Sequence, residues 1–143
     1  MSMVRWKPAF AYIAALIILH SSSFGAVYVI VNSNSPLKEM NKSHLKKVFM
    51  NRRKTWKHGG NIHRMVLSGG PAHKEFCERF LGKSPAQFQK FWLKIVFTGF
   101  GIAPNPAKND ETMIQYISEN QHAIGYVSEE PKSESVRVLQ IRE

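Results

Sequence analysis

Ile62-His63-Arg64-Met65-Val66-Leu67-Ser68-Gly69-Gly70-Pro71-Ala72-His73-Lys74-Glu75-Phe76 is the stretch on which the fold turns. Ile62 to Leu67 reads as a short strand, Ser68-Gly69-Gly70-Pro71 breaks it, and Phe76, Phe80 and Leu81 then fall on one helical face. Pro71 just inside the helix start and Gly82 just past its end follow the positional asymmetry of helix termini. A strand that runs through a tight turn into a helix is half of a β-α-β crossover. It predicts an α/β domain whose mixed, mostly parallel sheet is flanked by helices.

Toward the N-terminus, Val27-Tyr28-Val29-Ile30-Val31 is a continuous apolar run closed by Asn32-Ser33-Asn34-Ser35-Pro36, the pattern of a central strand buried on both faces. Ser43 is placed to cap a short helix with Leu45, Val48 and Phe49 inward, and Asn51 to Gly60 reads as a basic loop around Trp56. Toward the C-terminus, Ser84-Pro85-Ala86-Gln87 is a capping box with proline at the first helical position. Phe88, Phe91, Trp92 and Ile95 follow at i, i+3, i+4 and i+7, a core-facing stripe. Thr98 to Pro106 is a Gly/Pro-rich loop, and Asn109-Asp110-Glu111 opens a helix with Met113, Ile114 and Ile117 inward. Ala123 to Val127 and Val136 to Ile141 are two closing strands, giving the order β-α-β-α-α-α-β-β.

The 143 residues give room for one domain, and 20 Lys+Arg against 10 Asp+Glu leave a net charge of +10. One Cys excludes an internal disulfide and a Cys-based zinc site, so no metal or cofactor is expected. Residues 1–26 have the three-part layout of a secretory signal peptide: Arg5 and Lys7, an uncharged apolar run from Ala9 to Leu19, then Ser21-Ser22-Ser23-Phe24-Gly25-Ala26. That run is about half the ~20 residues a stable bilayer span requires. Cleavage after Gly25 or Ala26 leaves a domain over 27–143 that is still strongly basic and is expected in the periplasm or outside the cell. There nucleic acid is not an expected partner. Small anions, anionic lipid head groups and acidic proteins are.

In an α/β sheet, ligands sit at the carboxyl ends of strands near helix N-termini, which directs attention to the turn after Leu67. Its glycines let backbone N–H groups converge on one point, and the helix dipole adds partial positive charge. Ser68, Gly69, Gly70, Ala72 and His73 are therefore the candidate oxyanion-binding residues, through backbone N–H groups, the Ser68 hydroxyl and the His73 imidazole. The same two glycines and proline also suffice for a plain strand-to-helix turn.

The order of elements and several phrases resemble the periplasmic phosphate-binding proteins of ABC transporters, a type II periplasmic-binding-protein fold. The phrases are Val27 to Asn32, Leu45 to Trp56, Lys108-Asn109-Asp110 before a helix and, most specifically, Ala123-Ile124-Gly125-Tyr126-Val127. They run over nearly all of residues 27–143, but the family has two lobes and about twice this length, so the resemblance implies a short single-lobe version. It implies a non-enzymatic, exported solute-binding domain for phosphate or a similar oxyanion, linked to an ABC transporter. A second copy, as a homodimer, or another envelope protein could complete the cleft. The family's ligand turn resembles Arg-x-Asp-Gly-Ser-Gly-Thr. Here Leu67-Ser68-Gly69-Gly70-Pro71-Ala72-His73 keeps only Gly70 by identity, and the arginine, carboxylate and threonine have no equivalent.

Other patterns point elsewhere. His73 and Cys77 are four apart on a helix, yet Cys77 lies among Phe76 and Phe80 and reads as a small core residue. His58 and His63 flank Gly-Gly without a third ligand. Between Lys42 and Lys57 there are seven Lys/Arg and no acid. Lys46, Lys47, Arg52, Arg53, Lys54 and Lys57 there are candidates for docking an acidic partner or membrane surface, the alternative to ligand binding, although such a run is usually a solvated face.

Overall fold

A computed structural model describes residues 25–143. The leader expected over residues 1–26 lies outside the described residues except for Gly25 and Ala26. In chain order the elements are β1 (Tyr28–Asn32), β2 (Glu39–Asn41), α1 (Lys42–Phe49), β3 (His63–Leu67), α2 (Pro71–Phe76), α3 (Pro85–Phe97), β4 (Asn105–Ala107), α4 (Asp110–Glu119), β5 (Ala123–Val127), β6 (Val136–Val138) and β7 (Gln140–Arg142). A π-helical turn, Cys77–Leu81, continues α2.

The main sheet has the order β4-β3-β5-β1-β6. β3 is parallel to β4 and to β5, whereas β1 is antiparallel to β5 and β6, and β2 pairs with β7 in a small parallel ribbon. The five-stranded sheet thus has two parallel and two antiparallel pairings, and with the ribbon three of the five pairings are parallel, the mixed, mostly parallel α/β arrangement the sequence predicts.

The core follows from these placements. Val29, Ile30 and Val31 are buried on both faces of β1. β5 is buried along its whole length, and Gly125 at its middle lets α4 lie close. A Cβ there would run into Met113 Sδ and stand 2.9 Å from Ile117 Cδ1. Tyr126 stacks on Phe76 with ring centroids 3.8 Å apart, and Phe49 meets Phe76 edge-on at 4.8 Å. Asn32, a buried polar residue, is satisfied by donating to the carbonyls of Ile117 (2.9 Å) and Ser118 (3.0 Å) and by accepting the Asn34 N–H.

Several expectations are corrected. Asn41, not Ser43, caps α1, its side chain accepting the His44 N–H at 2.7 Å. Asn41 also ends β2, whose partner β7 is remote in sequence. The Gly/Pro-rich loop contains β4, where Pro106 is tolerated because β4 is an edge strand paired only with β3. The last strand divides at Leu139, whose N–H donates to the Val29 carbonyl (2.8 Å) while its side chain is buried. The Ser84/Gln87 capping box forms as predicted. Of the α3 stripe, Phe88 and Trp92 are buried, and Phe91 and Ile95 are half-buried.

Candidate functional site

β3, β4 and β5 run parallel and end together at Leu67, Ala107 and Val127, so the segments that follow them meet on one side of the sheet. Between them lies a crevice of about 640 Å³ lined by Gly69, Gly70 and Ala72 from the first segment, Lys108 to Glu111 from the second, and Ser128 and Glu129 from the third. The Ser68 N–H donates to the Ala107 carbonyl at 2.9 Å, which carries the β3–β4 pairing into the turn. Gly70 has φ 90°, a conformation that favours glycine, and it begins α2 without a side-chain cap. A Cβ on Gly69 or Gly70 would meet nothing within 4 Å, so the turn presents bare backbone.

Among the described residues Lys108 is the one cation on this crevice, against the carboxylates of Asp110, Glu111 and Glu129. Asp110 is already engaged. Its carboxylate accepts the Ser128 N–H (3.0 Å), the Ser128 hydroxyl (2.7 Å) and the Glu129 N–H (3.1 Å), filling the donors at the end of β5. The sequence marks Asp110 as an acid at the start of α4 and as part of the Lys108-Asn109-Asp110 phrase. No local signal shows its reach across 18 residues to Ser128.

Ser68 and His73 face the other side of the turn, onto a second hollow of about 640 Å³. Its walls are mostly apolar, with Phe88, Trp92, Leu93 and Val96 from α3. The five candidate residues therefore divide: Gly70 and Ala72 line the crevice, Ser68 and His73 the hollow, and Gly69 both. The His73 Nδ1 lies 2.5 Å from the Tyr126 hydroxyl, which also accepts the Leu67 N–H at 3.1 Å. A buried phenol has one proton to place, and Nδ1 is its available acceptor, so the ring proton belongs on Nε2. Burial also lowers the His73 pKa. The imidazole is thus a neutral brace between α2 and β5, and only its backbone N–H remains at the turn.

Cys77 Sγ is 3.8 Å from His73 Nε2, but burial, reinforced by Glu78, pushes its pKa up to about 12. The pair therefore keeps its thiol protonated and generates no nucleophile. His58 stacks on Trp56 at 6.1 Å. Among the described residues no group of three His, Cys, Asp or Glu side chains comes together as a metal site.

On the basic face, Lys46 and Lys47 sit in the last turn of α1, where cations complement the helix dipole. Lys46, Lys47, Arg52, Lys54 and Lys57 are exposed and Arg53 is half-buried. Lys47, Arg53 and Lys57 gather around His44, whose pKa is lowered first by burial and then by these charges. Lys54 turns away, donating to the Phe100 carbonyl at 2.7 Å. Among the described residues the ion pairs are Lys42–Glu143 and Arg142–Glu39, neither of which uses the six. Arg64, not singled out from the sequence, ties the region together. It donates to the carbonyls of Val48 and Arg53 and lies over the Trp92 ring at 5.5 Å.

No protein-family model and no curated protein matches the sequence. Solved structures do match. A protein described as a phosphate ABC transporter substrate-binding protein from Clostridium perfringens, with bound phosphate, superposes with a TM-score of 0.63 at 16% identity over 80% of this chain and 44% of its own. An ABC-type phosphate transport receptor from Vibrio cholerae gives 0.62 at 14% identity, covering 80% and 45%. PstS from Borrelia burgdorferi gives 0.60 at 14%, covering 81% and 47%. The chain spans less than half the length of each of these proteins. Among the described residues no helix is long and apolar enough to cross a membrane. At such identities the likeness is one of fold, and the chain has the mixed α/β fold of a single periplasmic-binding-protein-like lobe.

Proposed function

We propose that the chain is an exported solute-binding-like domain that holds phosphate or a related oxyanion at the Ser68–His73 turn and works with an ABC transporter. The observation that carries this reading is the convergence of three parallel-strand carboxyl ends on one crevice, the place where open α/β sheets take their ligands. The uncapped backbone of Gly70, Ala72 and His73 offers N–H donors, and Lys108 supplies the counter-charge. The phosphate-transport proteins with the same fold support the choice of anion and of partner. With one lobe and the carboxylates of Glu111 and Glu129 nearby, the affinity is weak unless a second copy or another protein closes the crevice.

Thermal unfolding of the protein with millimolar phosphate, against sulfate and chloride at matched ionic strength, tests it. A ligand at 100 times its Kd adds about 2.7 kcal/mol, and Lys108→Ala reduces the shift. If neither phosphate nor sulfate raises Tm beyond chloride, the oxyanion reading is wrong.

The basic run, whose six cations form no ion pair among the described residues, supports a second reading, in which Lys46, Lys47, Arg52, Arg53, Lys54 and Lys57 dock an anionic partner surface. Charge reversal at these positions should abolish a salt-sensitive association and leave an oxyanion-dependent Tm shift intact.

A further inference from the structure

Beyond the basic loop, the end of α3 and the loop after it carry large apolar side chains that the domain leaves in solvent. Phe97 is 87% exposed, Ile102 86% and Phe100 66%, with Leu93 and Val96 about half exposed beside them. Isolated apolar residues on a surface need no explanation, but these five fall within ten residues, on one helix end and its adjoining loop, and so are clustered rather than scattered.

This ridge has a cationic border. Lys90 and Lys94 are exposed on α3, and the chain holds no Asp or Glu between Glu78 and Asp110 or between Glu39 and Glu75. The two hollows that flank the ridge contain no carboxylate in their walls. The basic loop is fixed to the ridge, because the Phe100 carbonyl accepts from Lys54 Nζ at 2.7 Å and from the Asn51 side-chain amide at 3.2 Å. Gly101 packs so closely on the Asn51 side chain that a Cβ would stand 2.9 Å from it.

We infer that this face seats the protein on a bilayer of anionic lipid, with Phe97, Phe100 and Ile102 entering the head-group boundary and Lys54, Lys90 and Lys94 meeting lipid phosphates. The inference rests on the basic-face reading for its attraction and adds the apolar insertion. Charge decides against a second copy as the occupant, since an isologous contact would bring two acid-free cationic rims together. Shape decides against a rigid acidic protein. Phe97 and Ile102 touch almost nothing of the described residues, so such a partner would need a pocket for each, whereas the acyl boundary accepts any protruding apolar group. Basic residues next to the inserted groups are attracted by the negative surface potential of anionic lipid.

The test is co-sedimentation with phosphatidylcholine vesicles, with and without roughly a third phosphatidylglycerol. Binding to the anionic vesicles should weaken more than tenfold for Phe97→Ser with Ile102→Ser, and similarly for Lys90→Glu with Lys94→Glu. All four positions are exposed, so unchanged thermal unfolding verifies the fold of each variant. A Phe97→Trp variant reports locally: its added emission should shift to the blue on anionic vesicles and be quenched by lipids brominated along the acyl chain. Loss of binding on charge reversal but not on apolar removal, with no quenching at position 97, overturns the insertion and leaves the basic-face reading standing. Equal binding to neutral vesicles overturns the electrostatic part. A dimer in solution that Phe97→Ser abolishes overturns the lipid assignment in favour of a second copy.

Discussion

Replacing Tyr126 by Phe removes one oxygen and almost nothing else. The ring keeps its stack on Phe76, at 3.8 Å, and its edge contact with Phe49, so no cavity opens. What is lost is the acceptor for the Leu67 N–H, 3.1 Å away and buried at the end of β3, and the donor to His73 Nδ1 at 2.5 Å. A buried N–H left without a partner costs about 1–3 kcal/mol, and the half-exposed imidazole can recover part of its bond from water. The expected loss is therefore about 1–3 kcal/mol in urea unfolding with an unchanged slope. That corresponds to a fall in Tm of roughly 4–12 °C for a domain of this size. Tyr116→Phe is the control, because its exposed hydroxyl accepts only from Asn105 at 3.3 Å, and its loss should stay within about 0.5 kcal/mol. A second readout is the His73 titration followed by NMR, which should move upward once the phenol no longer engages Nδ1. A Tyr126→Phe loss no larger than the control, or an unmoved His73 titration, would refute the brace.

Two further outcomes are expected. His44 and His73 both have folded pKa values below the ordinary 6.5, so below that pH the unfolded chain holds more protons than the folded one. Stability should be full above about pH 6.5 and decline as the pH falls toward the folded values, and a double His→Gln variant should flatten that slope in pH-dependent unfolding; an unchanged slope argues against these two groups. Gly125→Ala should destabilise by about 1–3 kcal/mol, since the new methyl meets Met113 and Ile117 with little room to move, and denaturant unfolding would show it.

Much of the fold was legible because its signals are local. The apolar run of β1, the Pro71 and Gly82 boundaries, the Ser84/Gln87 box and the all-buried Ala123–Val127 strand each announce themselves within a few residues. What escaped is decided at a distance. Asn41 caps α1 from the end of a strand that exists only through β7, and Asn105-Pro106-Ala107 is a strand only because an edge position beside β3 excuses the proline. The π turn at Cys77–Leu81 leaves the apolar pattern of α2 undisturbed and so has no sequence signature. At the site, the turn and its open glycines could be read directly. The partition of its residues could not, because the His73 ring is held by a tyrosine 53 positions away and the β5 end is filled by Asp110. The exposed end of α3 combines both cases: the stripe of Phe88 and Trp92 was visible, but the bare face beside it depends on what the rest of the domain does not cover.

β1 lies between β5 and β6, so the first strand of the described residues finds both of its neighbours in residues 123–138. No nascent chain shorter than that can complete the sheet, and each ladder of β1 closes a loop of most of the domain, whereas β3 and β4 can pair earlier. Folding is therefore late and comparatively slow, and during synthesis Val29 to Val31 present an apolar strand without a partner. A chain with this wiring remains threadable through a narrow channel until nearly all of it has passed. The same wiring makes it dependent, over that interval, on whatever keeps an open hydrophobic strand from pairing with a neighbour.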